Sequence, residues 1–140
     1  MQAQFSIPYT VATALVDGGV RLEHFTDAGL QRQDILALAA KVETYIDGDI
    51  ERGFGRSVSP AVVHLELEDG GTHTLRVDVP LGHPDRPMSA ADFDAKAKDC
   101  FRNAARPLRD DASAELRSLV DSLESLDDVR RLVRVLEPAR

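Results

Sequence analysis

Residues 5–19 read FSIPYTVATALVDGG. They carry helical punctuation around a segment with almost no polar side. Ser6 can accept a hydrogen bond from a first-turn N–H, and Pro8 is tolerated there because those groups lack an intrahelical partner. Gly18 or Gly19 can take the left-handed stop. A helix that is apolar or small all round is normally covered all round. The expectation is therefore that the chain begins at the edge of a larger structure. VRLEHF follows as a short irregular stretch, with Asp27 placed to cap a turn. Apolar Ile35, Leu36, Leu38 and Ala39 give one side to a helix over about 32–40. KVETYID alternates Val42, Thr44 and Ile46 against Glu43, Tyr45 and Asp47, which predicts a strand. GDIERGFGRSVSP predicts a Gly-rich loop. Its Gly53-Phe54-Gly55 lacks the further glycine or Lys-Ser/Thr of a phosphate cradle, which sets a nucleotide site aside.

AVVHLELEDGGTHTLRVDVP is the clearest element, a hairpin. Ala61, Val63, Leu65 and Leu67 share one face, and Leu75, Val77 and Val79 want the same face. The predicted register pairs Leu65 with Leu75 and Val63 with Val77, leaving Asp69-Gly70-Gly71 as a three-residue loop with a left-handed glycine. In that register His64 lies opposite Arg76 on the polar face and His73 opposite Leu67. The two histidines point to opposite sides of the sheet and cannot share a metal ion.

LGHPDRPM is a proline-bounded loop. Ser89 with Asp92 has the form of a capping box, and Met88 with Phe93 that of a hydrophobic staple. A helix follows to about Asn103, with Phe93, Ala97, Cys100, Phe101 and Ala104 on its inner side. Cys100 then reads as a small core residue with nothing basic placed to lower its pKa. Pro107 marks the end of that helix. Two amphipathic helices complete the chain, with stripes Leu116, Leu119, Val120, Leu123 and Val129, Leu132, Val133, Leu136. Ser125 or Asp127 is placed to cap the second. Their outer faces mix Asp and Glu with Arg, as solvated faces do.

The chain has 140 residues, 43% hydrophobic and 29% charged, with a formal net charge of −7. That suits one modest folded domain or a piece of a larger one. An acidic balance without a basic stripe argues against nucleic acid as a partner. The first helix is too short to span a bilayer and lacks the basic flank of a signal peptide, so no membrane partner is expected and a cytoplasmic location is. A single cysteine excludes an intrachain disulfide and a multi-Cys metal site.

The ordered set of segments resembles the C-terminal part of the MmgE/PrpD family. The set is FSIPYTVATALVDGG, DILALAAKVE, the strand pair with its Asp69-Gly70-Gly71 turn, and VPLGHPDRPMSAADFDAKAKDC. Lys96 matches the family's lysine after the GHP loop, whereas Ala97 stands where phenylalanine is usual. The resemblance implies a lid: an α+β fold with a small, partly antiparallel sheet of about three strands packed with helices, followed by two C-terminal amphipathic helices. It divides the chain into a lid-like domain, 1–105, and a helical segment, 106–140, that returns to the family's large helical domain or to a partner. It implies a metal-free, cofactor-independent lyase or isomerase acting on small polycarboxylates, as in the family's 2-methylcitrate dehydratase of propionate catabolism, cis-aconitate decarboxylase and iminodisuccinate epimerase, with the choice among dehydration, decarboxylation and epimerisation left open. The helical domain, which holds most of the proposed acid and base groups, is absent, so no turnover is expected from this chain alone. Tyr9 and His83 are the candidate catalytic residues. Ser6 and Arg86 are candidate substrate-binding residues. Each has a plainer reading: Ser6 as a cap, Tyr9 as packing, His83 as a loop residue braced by Pro84. The expected partner is a second copy of the chain or a helical partner chain of the same family. A non-catalytic, self-associating module and a gene remnant are the alternatives.

Overall fold

The computed structural model describes residues 3–54 and 60–137. It is α+β and divides into two compact units, one formed by residues 1–44 with 90–140 and one by residues 45–89.

In the first unit, α1 spans Ile7–Asp17. Ser6 caps it, accepting from the Tyr9 N–H at 3.3 Å, and Gly18 ends it at φ +70°, the left-handed value that glycine adopts without a Cβ clash. Two short 3-10 turns follow, Leu22–Phe25 and Gly29–Gln31, and then α2, Gln33–Ala39. The Thr26 hydroxyl, not Asp27, takes the Gly29 N–H at the second turn. Tyr9, Ala12 and Ile35 form a small buried cluster under Phe25, Leu30 and Leu38. Thr13 is also buried, its hydroxyl donating to the Tyr9 carbonyl at 2.7 Å.

The same unit contains α4, Ala90–Arg102, α5, Ala112–Asp121, and α6, Arg130–Val135. Ala112, Leu119 and Val135 make a second buried cluster, lined by Phe101, Leu108, Leu116 and Leu132. The inner side of α4 is rotated from the expected one. Ala97, Phe101 and Ala104 are half-buried together with Asp94, while Phe93 and Cys100 are exposed. The cause is polar. Arg117 of α5 reaches the Asp94 carboxylate at 2.8 Å and the Ala90 carbonyl at 3.0 Å, turning the acidic edge of α4 inward. Helix α4 stops at Arg102, several residues before Pro107. In the tail, Leu119 is the buried member of its stripe and Val135, outside the expected second stripe, is buried, whereas Val120, Val129, Val133 and Leu136 are exposed. The Arg130 N–H at the start of α6 is taken by Asp128 at 3.0 Å, rather than by Ser125 or Asp127.

The second unit holds α3, Gly48–Phe54, and the hairpin of β1, Ala61–Glu66, and β2, Thr72–Val77. Two expectations fail here. Residues 42–47 form no strand, so the sheet has two strands among the described residues rather than about three. The loop expected from Gly48 is a helix, because the Asp47 carboxylate caps the N–H groups of Asp49 and Ile50 at 2.9 and 3.2 Å. Gly55, at the end of the glycine pair considered above, lies outside the described residues.

The hairpin register is displaced by two residues. Val63 pairs with Leu75, Leu65 with His73 and His64 with Thr74. The loop keeps its three-residue length but is Glu68-Asp69-Gly70. The Gly70 N–H closes onto the Leu67 carbonyl at 3.0 Å, and the Leu67 N–H donates to Gly71 at 2.7 Å. Gly70, at φ +86°, is the left-handed residue. A two-residue displacement preserves faces, so His64 and His73 still point to opposite sides. His64 Nδ1 meets the Thr74 hydroxyl at 2.9 Å.

Candidate functional site

Ser6 and Tyr9 lie in the first unit. With Pro8 lacking an N–H and the Tyr9 N–H taken by Ser6, the first turn of α1 offers a thinner carboxylate cradle than the sequence suggests. Tyr9 is 5% exposed. Its hydroxyl donates to the His24 carbonyl at 2.7 Å, with the Gly29 carbonyl at 3.2 Å, and its ring meets Phe25 at 6.1 Å.

Beside it is a polar knot that sequence reasoning missed. His24 is buried. Its Nδ1 accepts the Arg21 N–H at 2.9 Å, which places the ring proton on Nε2, 2.8 Å from the Asp17 carboxylate. Arg32 grips the same carboxylate with both terminal nitrogens and also holds Asp34. The Arg32 guanidinium, and next the bond from His24, keep the Asp17 carboxyl below its usual range, and Arg32 does the same to Asp34. With both ring nitrogens engaged in a buried setting, His24 ties the end of α1 to the 22–25 turn instead of facing a ligand, while Arg32 ties it to the start of α2. Gly29 completes the knot by closeness. A Cβ there would sit 2.4 Å from the Glu23 carbonyl oxygen and 2.8 Å from the His24 Cα. The only sequence signal was a histidine seven residues after an aspartate, with an arginine eight further on.

His83 and Arg86 lie together in the second unit, bridged across a tight loop. The Gly82 N–H donates to Arg86 at 2.8 Å and the Arg86 N–H to His83 at 2.8 Å. Gly82 sits at φ +95°, which explains the glycine of the GHP segment. His83 Nδ1 accepts the Asp85 N–H at 3.2 Å, with an Asp85 carboxylate oxygen at 3.5 Å. The neutral ring therefore carries its proton on Nε2. The Arg86 guanidinium donates to the Val79 carbonyl at 3.1 Å, fixing its stem. Such a loop can present an N–H donor from the His83 ring and holds the Arg86 cation in place.

The profile of the MmgE/PrpD C-terminal domain matches residues 1–124. The chain belongs to the MmgE/PrpD family. Among similar proteins is the human cis-aconitate decarboxylase, 31% identical over 137 residues, which cover 97% of this chain and 27% of that protein. The mouse cis-aconitate decarboxylase is 30% identical over the same shares. The Aspergillus terreus cis-aconitate decarboxylase is 30% identical over 95% of this chain and 26% of its own length. The chain thus spans about a quarter of the length of these curated relatives. They bear out an MmgE/PrpD relationship with lyase-type enzymes, and their name is that of the decarboxylase among the family's three reactions given above rather than of 2-methylcitrate dehydratase. No helix among the described residues is long and apolar enough to cross a membrane.

Proposed function

We propose that this chain supplies the lid portion of an MmgE/PrpD-type lyase acting on a small polycarboxylate, and that it turns over nothing by itself. The observation that carries the reading is the family match over nearly the whole chain combined with its coverage of only about a quarter of the relatives' length. Decarboxylation of a cis-aconitate-like tricarboxylate is the first reaction to test, because that is what the relatives' name describes. Dehydration of 2-methylcitrate is the second. In a decarboxylation the C–C bond to the departing carboxylate breaks and its electron pair stays on carbon, where a proton must be delivered. His83 in its imidazolium form is our choice of donor on this chain, giving its Nε2 proton to that carbon and returning to the neutral ring. Arg86 is the cation for a substrate carboxylate. Ser6 and Tyr9 are retained as weaker contributors at the α1 end, since the Tyr9 hydroxyl is occupied within the fold.

A second reading, a self-associating non-catalytic module, draws on the exposed Val120, Val129 and Val133 of the tail. One experiment separates the two. The tagged chain is recovered from its own host, bound proteins are identified by mass spectrometry, and the eluate is assayed for cis-aconitate decarboxylation and 2-methylcitrate dehydration. A helical MmgE/PrpD partner together with activity supports the lid reading. Recovery of the chain alone, inactive and sedimenting as an oligomer, supports the module. Activity of the pure chain refutes the proposal that it is inactive alone.

A further inference from the structure

Most arginines of this chain are consumed by its own carboxylates. Arg21, Arg32, Arg52, Arg76, Arg109, Arg117, Arg130, Arg131 and Arg134 all sit in ion pairs. Lys98 and Arg102 are different. They lie one turn apart on the same face of α4, form no ion pair among the described residues, and both line a surface cavity of about 330 Å³.

The opposite wall of that cavity is the first turn of α5, through Ser113. Ser113 is 5% exposed, yet no hydrogen bond among the described residues reaches its hydroxyl. No side-chain oxygen or nitrogen among the described residues is both sealed from water and unpartnered, so this hydroxyl opens to the cavity that Ser113 lines. Serine is a weaker helix former than alanine, so local stability does not explain it. As the second residue of α5, Ser113 further has a backbone N–H with no partner inside the helix, at the end where the peptide dipoles favour an anion.

Arg109 borders the same cavity but is held by Glu115 and by Asp111 at 3.2 Å. Its charge is largely answered, and it serves as a wall. Asp110 is the opposing charge in the lining, and any anion must tolerate it. Phe101 and Leu108 supply an apolar side, and the volume exceeds what a bare oxyanion fills.

We propose that this cavity binds a phosphate group, with Lys98 and Arg102 as the counter-charges and the Ser113 hydroxyl and N–H as the neutral donors. Donors converging from two helices suit a tetrahedral group with three free oxygens better than a planar carboxylate with two. The apolar side and spare volume fit a phosphomonoester, whose organic portion would lie on Phe101 and Leu108.

The test is calorimetric titration of the full chain with inorganic phosphate and, separately, with glycerol 3-phosphate, at fixed ionic strength set by chloride. Saturable binding of both is expected, the ester binding more tightly. Binding of inorganic phosphate alone still supports the oxyanion site and removes the apolar contribution. Arg102→Gln is expected to weaken binding on the order of tenfold, the worth of one charge-assisted hydrogen bond. Asp110→Asn is expected to strengthen it. Ser113→Ala is the decisive variant, because the site and a merely structural serine predict opposite pairs of results. For a site, the variant melts at the same or a higher temperature and loses phosphate affinity severalfold. For a structural serine, it melts lower and leaves titrations unchanged. The proposal is overturned by that second pair, by the absence of saturable heat with either phosphate, or by tighter binding of citrate than of phosphate.

Discussion

The Tyr9 hydroxyl is assigned two incompatible duties, as a donor to substrate and as a brace inside the fold, and Tyr9→Phe separates them. The substitution keeps the ring, its burial and its contact with Phe25, and deletes one oxygen. That oxygen is the donor to the His24 carbonyl at 2.7 Å and lies 3.2 Å from Gly29. The ring is buried at this point, so no water replaces the lost donor without rearrangement. An unsatisfied buried carbonyl costs about 1–3 kcal/mol. For a cooperative unit of about 100 residues, each kcal/mol lowers the melting temperature by roughly 4–8 °C. The variant should therefore melt at least about 4 °C lower, read by circular dichroism, with a matching drop in the urea midpoint and an unchanged slope. In the complemented enzyme, activity per folded molecule should stay within about threefold of the parent, far less than the roughly hundredfold loss of a general acid or base. Unchanged melting together with a hundredfold loss of kcat would refute the brace and return Tyr9 to the substrate.

Three further outcomes follow from the same geometry. Gly29→Ala should destabilise by at least about 1–3 kcal/mol, because its Cβ collides with backbone of the 22–25 turn that cannot swing aside as a side chain can; a melting curve checks it. The Asp17 carboxyl is held low by Arg32 and His24, so its contribution is full above the unfolded carboxylate pKa of about 3.9 and is lost as pH falls through the depressed folded value. Acid unfolding of the parent should then show a steeper loss below about pH 4 than Asp17→Asn, which begins less stable at neutral pH and has less to lose. His83→Ala should leave the unfolding free energy from urea titration within about 0.5 kcal/mol of the parent, as for an exposed loop position, and lower kcat in the complemented enzyme by about 10²–10⁴-fold.

What the sequence made legible was local. The Ser6 cap and Gly18 stop act between residues close in the chain, and they hold as read. The hairpin faces are right because period two survives any even displacement, but the register is not. Asp69-Gly70-Gly71 offers two glycines, and only φ at Gly70 decides which one takes the left-handed place. The helix at Gly48–Phe54 was hidden because Gly48 and Gly53 read as loop, while the decisive Asp47 cap had been assigned to a strand. Cys100 was misplaced because hydrophobic periodicity put it on the apolar stripe, and an ion pair contributed from α5 rotated that stripe toward Asp94. No reading of α4 alone contains Arg117.

The same distinction governs the chemistry. Asp17, His24 and Arg32 stand seven and eight residues apart, a spacing that no sequence reading joined. In the fold they satisfy one another, with Arg21, around the junction of α1 and α2. Tyr9 is drawn into the same knot through the His24 carbonyl. His64 spends Nδ1 on Thr74. His83 differs in how its bond is made: the Asp85 N–H occupies Nδ1 and thereby fixes the tautomer without covering Nε2. A loop that orients a ring nitrogen but leaves it open meets the positioning requirement of proton transfer, whereas a buried and doubly bonded imidazole does not. If this chain contributes a proton carrier to a polycarboxylate lyase, the geometry therefore favours the half-exposed histidine of the GHP loop over the buried one that makes more contacts.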